Sequence, residues 1–80
     1  MKTPRDISGK AIIKCLRVYG YQIVRQNGSH ITITTEQAGE HHLTIPNHDP
    51  IKVGTINGII SSVATHFNIS KEQVMQELFG

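Results

Sequence analysis

The fold is decided by residues 21–46, which read YQIVRQNGSHITITTEQAGEHHLTIP. Three segments in this stretch are rich in β-branched and aromatic residues, as strands are: residues 21–26, 29–35 and 41–46. Asn27-Gly28 is the strongest short-range signal for a hairpin, and Gln37-Ala38-Gly39 provides a second turn. The sequence therefore predicts a meander of three antiparallel strands.

The last two strands alternate between apolar and polar residues. Ile31 and Ile33 point to one face, whereas His30 and the threonines beside it point to the other. Leu43 and Ile45 repeat this alternation in the third strand. A sheet that is apolar on one side only needs helices to cover that side.

Helical patterns flank the meander on both sides. Ser8 is a candidate N-cap for a helix over residues 9–19, and Gly20 is suited to end it. After a loop over residues 47–53, an apolar stripe with helical spacing indicates the clearest helix of the chain: Ile56, Ile59, Ile60, Val63, Ala64 and Phe67. Ser70 begins a capping box for a short last helix. The order α-β-β-β-α-α predicts an α+β fold, with residues 1–80 as a single domain.

Composition sets limits on partners and location. Eight Lys and Arg against six Asp and Glu leave a net charge of +2, which permits a polyanionic partner without requiring one. The single cysteine, Cys15, cannot form an intramolecular disulfide, so nothing points to an oxidising compartment. Charged residues interrupt the first twenty positions, and no apolar run approaches the ~20 residues of a membrane span. We expect a cytoplasmic protein with no membrane partner.

Histidine is the natural side chain for moving the 2′-hydroxyl proton of RNA, because its ordinary pKa is closest to neutrality. Of the five histidines, His30 is the best candidate. It follows a tight turn, it lies on the uncovered face, and Gly28 and Ser29 beside it would let a phosphate approach the backbone. From the spacing alone, a solvated strand histidine is the better interpretation of His30.

A metal site is a weaker hypothesis. His41, His42 and His48 are close in sequence, but adjacent residues of a strand point to opposite faces. No Cys-x-x-Cys motif accompanies them, and the sequence shows no fingerprint for a phosphate-binding loop or a dinucleotide. His66, near the end of the long helix, is more simply explained by a favourable interaction with the helix dipole. We expect no metal and no small-molecule cofactor.

Basic residues form one possible nucleic-acid surface. Lys10, Lys14 and Arg17 share one face of the first helix and could follow a phosphate backbone. Arg25 and Lys52 lie elsewhere in the sequence. By themselves, Lys10, Lys14 and Arg17 are better explained as an ordinary solvated helix face.

The chain also carries a series of short motifs in a fixed order. They are Ser8-Gly9-Lys10, Tyr19-Gly20-Tyr21, the block VRQNGSH at residues 24–30, Ile45-Pro46-Asn47-His48, the block IKVGTI at residues 51–56, and Asn68-Ile69-Ser70. In this order and at this spacing they resemble the HicA family of bacterial toxins. The resemblance covers nearly the whole chain.

The resemblance implies a fold like that of the double-stranded-RNA-binding domain, with helices on one face of a three-stranded antiparallel sheet. It implies a metal-independent endoribonuclease that cleaves messenger RNA and inhibits translation, and an antitoxin of the HicB type as protein partner. The residue that matches the family's catalytic histidine is His30. The candidate RNA contacts around it are Gly28, Ser29, Lys10, Lys14, Arg25, His48 and Lys52.

Two other functions stay open. Members of the family usually carry Lys and Arg along the helix that follows Gly54-Thr55, whereas this chain has Asn57, Ser61 and Ser62 there. The weak positive charge favours a degenerate toxin that acts only by binding its antitoxin. The fold alone would also suit a double-stranded-RNA-binding module without catalysis.

Overall fold

The computed structural model describes residues 6–80. Its elements, in chain order, are α1 (Gly9–Leu16), a 3₁₀ turn (Arg17–Tyr19), β1 (Gln22–Asn27), β2 (His30–Thr35), β3 (His41–Pro46), α2 (Val53–Phe67) and α3 (Lys71–Phe79). The predicted α+β fold and its order of elements are confirmed. The assignment of residues 1–80 to one domain stays a prediction, since residues 1–5 lie outside the described range.

The strands form one antiparallel sheet in the order β1-β2-β3. Ile31 pairs with Ile45 and Ile33 with Leu43, and all four side chains are buried. Thr32 pairs with Thr44 on the other face. The predicted alternation is confirmed, so the sheet has one face in the core and one polar face, which we call the open face.

The helices cover the apolar face of the sheet. Their buried residues join those of β2 and β3 in a single hydrophobic cluster, and the predicted stripe of α2 lies in it, with Phe67 partly buried at its margin. Ser8 Oγ accepts a hydrogen bond from the Ala11 amide (3.1 Å), and Ser70 Oγ accepts one from the Gln73 amide (3.0 Å). Both predicted caps are therefore present. No helix within residues 6–80 has the length and apolar character needed to cross a membrane.

The first helix is shorter than the predicted span of residues 9–19. Its α-helical part ends at Leu16 and continues as the 3₁₀ turn, in which the Gly20 amide donates to the Arg17 carbonyl (2.9 Å). Gly20 then has a φ of 82°, the left-handed conformation expected of a C-terminal glycine. Tyr21 is buried and precedes β1, so the first strand starts one residue later than predicted.

The first hairpin turn also differs by one residue. Asn27 is the last residue of β1 and pairs with His30, so the two-residue loop is Gly28-Ser29 and not Asn27-Gly28. Gly28 has a φ of 62°, whereas Ser29 does not have a positive φ. A glycine at the first position alone is the requirement of a type II′ turn, which matches the twist of the flanking strands. The predicted hairpin is confirmed, and His30 becomes the first residue of β2.

Candidate active site

His30 lies at the end of the sheet nearest the first turn. Its neighbours in the sheet are Asn27 on β1 and Pro46 on β3. The side chain is exposed, and the register places it on the open face with Thr32. The imidazole is therefore accessible to a substrate from the side that the helices leave uncovered.

Three backbone hydrogen bonds join separate segments around His30. The Asn47 amide donates to the Ser29 carbonyl (2.7 Å), which ties the loop after β3 to the first hairpin. The Gly9 amide donates to the His48 carbonyl (2.9 Å), and the Ile51 amide donates to the Ile7 carbonyl (2.8 Å). The hairpin, the loop over residues 47–52 and the start of α1 thus meet at one end of the molecule, which we call the hairpin end.

The hairpin end collects most of the residues that the sequence suggested. It contains the Gly28-Ser29 turn, His30 and His48, and Lys10 lies in the first turn of α1 beside it. A Cβ atom built on Gly28 meets nothing within 4 Å, so the backbone of this turn faces open space. A phosphate could approach it closely.

The remaining basic candidates are divided between the two sides of the sheet. Arg25 pairs with Thr32 and therefore lies on the open face with His30. Lys14, together with Lys10 and Arg17, lines a groove on the helix-covered side. Lys52 occupies the N-cap position of α2. The shared face of Lys10, Lys14 and Arg17 is confirmed, but these cations and Arg25 do not form one continuous surface.

A second cluster of histidines lies where the end of α2 meets β3. His41 shares a hydrogen bond from Nδ1 with the Tyr21 hydroxyl (2.7 Å) and one from Nε2 with Ser62 Oγ (3.3 Å). The ring of His66 stacks on that of His41, with centroids 4.4 Å apart and planes at 10°. His66 also donates from Nε2 to the Gln37 carbonyl (2.9 Å). This cluster ties α2 to the second turn of the sheet.

The surroundings of this cluster change two acid–base equilibria. Burial lowers the pKa of His41 below its ordinary value, and the positive charges that His66 and His42 can carry lower it further. Burial raises the pKa of the Tyr21 phenol to about 12. Both groups are therefore held uncharged near neutral pH, as suits a structural hydrogen bond between them.

The arrangement of the histidines bears on metal binding. His41 points towards α2, whereas His42 lies on the open face, where it bonds to the Thr34 hydroxyl (2.7 Å) and to a Glu40 carboxylate oxygen (3.1 Å). The predicted divergence of these two neighbours is confirmed. Among residues 6–80, no three His, Cys, Asp or Glu side chains are grouped so that they could hold a metal ion.

Sequence reasoning missed two features of this site. Asn47 was not a candidate, although its amide fixes the loop to the hairpin. The stacking of His41 on His66 was also missed, because these residues are 25 positions apart and no periodicity relates a strand residue to one on a later helix. The only available signal was the number of histidines in so short a chain.

Comparison with known proteins identifies the family. The family model described as the HicA toxin of bacterial toxin–antitoxin systems matches residues 9–63, which is more than half of the chain. A search of curated proteins gave no match, and neither did a search of solved structures. The matched range runs from the start of α1 through most of α2 and includes the first hairpin, His30 and the loop over residues 47–52. The chain belongs to the HicA toxin family.

Proposed function

We propose that this toxin is a metal-independent endoribonuclease that cleaves messenger RNA, and that His30 is its catalytic residue. Membership of the family makes the chain the toxin of a toxin–antitoxin pair and implies an antitoxin as partner. Loss of intact messenger RNA would stop translation, which accounts for toxicity. The cell compartment that contains messenger RNA and ribosomes, the cytoplasm, is the site of action in this proposal.

The observation that carries the proposal is the position of His30. Its imidazole is exposed on the open face, directly after a turn whose glycine backbone faces open space. A general acid or base has to come within hydrogen-bonding distance of the proton that it transfers. An RNA strand laid across the hairpin end would bring its sugar and phosphate to this imidazole.

The proposed reaction is an internal transfer within the RNA. The 2′ oxygen forms a bond to the adjacent phosphorus as the bond from phosphorus to the 5′ oxygen breaks. The proton of the 2′-hydroxyl passes to a base, and the departing 5′ oxygen receives a proton from an acid. His30 performs one of these two transfers, and His48, in the loop joined to the same hairpin, is the candidate for the other.

The other candidate residues would hold the RNA. Gly28 and Ser29 would position the scissile phosphate through the exposed backbone of the turn. Cations supply most of the affinity for a phosphate backbone, and four residues are assigned to this role: Lys10, Lys14, Arg25 and Lys52. Because Arg25 shares the open face with His30, it is the cation best placed to act during cleavage.

The decisive experiment follows cleavage of a labelled messenger RNA by the purified protein in excess EDTA. We expect His30→Ala to slow cleavage by about 10²- to 10⁴-fold, because general acid–base catalysis contributes that much. His42→Ala is the matched control, since it removes a histidine from the same face of the sheet but from the opposite end of the strands. Cleavage by His30→Ala at the parent rate would contradict the assignment, and loss of activity in EDTA would contradict metal independence.

The second candidate function is that of a degenerate toxin that only binds its antitoxin. The low net charge favours it, as does the absence of Lys and Arg from residues 53–67, the span of α2. Expression in a bacterial host separates the two functions. An active ribonuclease arrests growth when it is made alone and is tolerated together with its antitoxin, whereas a degenerate toxin is tolerated in both cases. A double-stranded-RNA-binding module without catalysis would retain RNA but leave it intact.

A further inference from the structure

We infer that the groove between α1 and β1 is the docking site for an acidic, amphipathic segment of the antitoxin. The inference deepens the partner assignment of the proposed function, because it names the surface and the chemistry of recognition. It rests on the toxin–antitoxin pairing but not on ribonuclease activity.

The groove has a volume of about 400 Å³ and lies on the helix-covered side of the sheet. At its floor lie Ile13 and Ile31, which are buried, and Ile23, which is exposed, and the polar side chain of Gln26 also lines it. Its rim carries Lys10, Lys14 and Arg17, all from the first helical segment. Within the described part of the chain, none of the residues that line it carries a carboxylate.

The floor is open because α1 does not reach the edge of the sheet. Ile23 pairs with Ile33, so its side chain points to the same side as that fully buried residue. Ile23 nevertheless remains 52% exposed, because β1 is an edge strand. An apolar side chain that faces the core side of a sheet without being covered indicates a surface that a partner completes.

Other exposed apolar residues are concentrated at the same edge. Within residues 6–80, three of the four large apolar side chains that are exposed lie between positions 18 and 24: Val18 at 57%, Ile23 at 52% and Val24 at 62%. Of these three, only Ile23 lines the groove, whereas Val24 lines a depression on the open face together with Gln22 and Thr34. Most of the large exposed apolar side chains within residues 6–80 thus lie on β1 or in the turn just before it, and Ile23 is the one that borders the groove.

The chemistry of the groove specifies its occupant. Lys10 and Lys14 lie on α1 and Arg17 begins the 3₁₀ turn after it, so the three cations recur over about 10 Å of helical backbone. Carboxylates on one face of a partner segment would pair with these cations, while apolar side chains on its other face would cover Ile23 and the floor. An RNA backbone would satisfy the cations but would leave the apolar side chain of Ile23 exposed to water. The combination of apolar floor and basic rim thus favours an acidic protein segment over RNA.

Docking at this groove would also affect RNA binding. The groove and the open face with His30 are on opposite sides of the sheet, so a segment in the groove does not need to touch the imidazole. It would, however, occupy Lys10 and Lys14, which the proposed function assigns to RNA. The antitoxin would then compete with RNA for the same cations.

The test uses calorimetry to measure binding of the purified cognate antitoxin to the full chain. We expect Ile23→Asp to weaken binding by about 30-fold or more, because it places a carboxylate at the centre of the apolar floor and beside the partner's own carboxylates. Val24→Asp is the matched control. It introduces the same charge at the next residue, but Val24 lines a different depression with Gln22 and Thr34, so we expect a change of less than about threefold.

A second variant distinguishes a loss of antitoxin binding from a loss of folding. Lys14 is exposed, so Lys14→Glu should leave the fold intact, as circular dichroism can verify, and should also weaken antitoxin binding. The inference is overturned if a folded Ile23→Asp protein binds the antitoxin as the parent does, or if Ile23→Asp and Val24→Asp weaken it equally. It is also overturned if Ile23→Asp reduces retention of RNA and not of antitoxin. Cleavage assays on His30→Ala report on the ribonuclease separately, so either proposal can fail alone.

Discussion

Histidine residues in this toxin differ sharply in their environments. His30 is exposed at the hairpin end, where it can reach a substrate. His41 is half-buried, and both of its ring nitrogens have partners, the Tyr21 hydroxyl and Ser62 Oγ. A partner for each nitrogen fixes the orientation of a ring, and that ring then supports the stacked His66. We therefore regard His41 as a structural residue that joins the sheet to α2.

The lowered pKa of His41 predicts a stability that depends on pH. The unfolded chain takes up a proton at this position near the ordinary value of 6.5, before the folded protein does. The contribution of His41 to stability is complete above pH 6.5. It is lost as the pH falls from 6.5 through the lower pKa that His41 has in the folded protein. We expect the thermal unfolding midpoint of the parent to fall between pH 7.5 and pH 5.5, and to fall less in His41→Gln.

His42→Gln is the control for this measurement, because His42 is the exposed neighbour on the opposite face. It should keep most of the pH dependence of the parent, because burial is the largest cause of the lowered pKa of His41 and the charge of His42 is the smallest. An equal fall in the parent and in His41→Gln would show that His41 does not cause the effect.

The sequence predicted that His30 is accessible, but it could not predict that His48 lies at the same end of the molecule. Strand alternation alone places the side chains of His30 and Ile31 on opposite faces of the sheet, and the structure confirms that placement. The approach of His48 to the same end depends on the bond between the Asn47 amide and the Ser29 carbonyl. Backbone bonds between a loop and a distant hairpin leave no pattern in residue type. The roles of both histidines in catalysis remain proposals.

At the scale of elements, α1 is positioned by a close contact at its first residue. Gly9 is buried against the end of β3, and a Cβ atom at this position would overlap the Pro46 carbonyl oxygen. Only a residue without a side chain lets the helix start this close to the strand. The contact also allows the Gly9 amide to reach the His48 carbonyl, so it helps to form the hairpin end.

Gly9→Ala should therefore destabilise the protein by about 1–3 kcal/mol, the usual cost of forcing extra volume into a packed contact. Gly58→Ala should have the opposite effect and stabilise it by about 0.5–1 kcal/mol, because an alanine suits a helix better and nothing lies within 4 Å of the new methyl group. Urea denaturation of the three proteins measures both changes. Equal stability of Gly9→Ala and the parent would show that α1 can shift without cost.

Elements were predictable where their signals were local. Ser8 and Ser70 marked their helices because a side-chain cap involves residues only three positions apart. The observed first turn lies one residue later than predicted. The Asn27-Gly28 signal concerns the turn alone, whereas the register of the strands also depends on pairs such as Ile31 with Ile45. The exposure of Ile23 could not be foreseen, since the sequence does not state which strand lies at the edge next to α1.

At the scale of the whole molecule, the sheet separates two surfaces. The open face carries His30 and Arg25, and the other side carries the groove with its basic rim. Only four Lys and Arg side chains are assigned to RNA in the proposed function, so few phosphates would be neutralised at once. RNA binding by this toxin should therefore depend only weakly on salt.

Binding of single-stranded RNA to the inactive His30→Ala protein, measured at several salt concentrations, tests this expectation. With four proposed cationic contacts, the logarithm of the affinity should fall with the logarithm of salt concentration with a slope of about −3 or shallower. Lys52→Ala should reduce the steepness by about 0.7, whereas Lys71→Ala, on α3 and outside the proposed contacts, should not change it. A slope steeper than about −5 would mean that more cations take part than we assign.

The three backbone bonds at the hairpin end also have an evolutionary consequence. Each of these hydrogen bonds runs from a backbone amide to a backbone carbonyl. They join Asn47 to Ser29, Gly9 to His48 and Ile51 to Ile7. None of them uses a side chain, so the frame that holds His30 tolerates replacement of the loop side chains around it. We therefore expect the side chains of this loop to be free to differ between related toxins without moving the His30 imidazole.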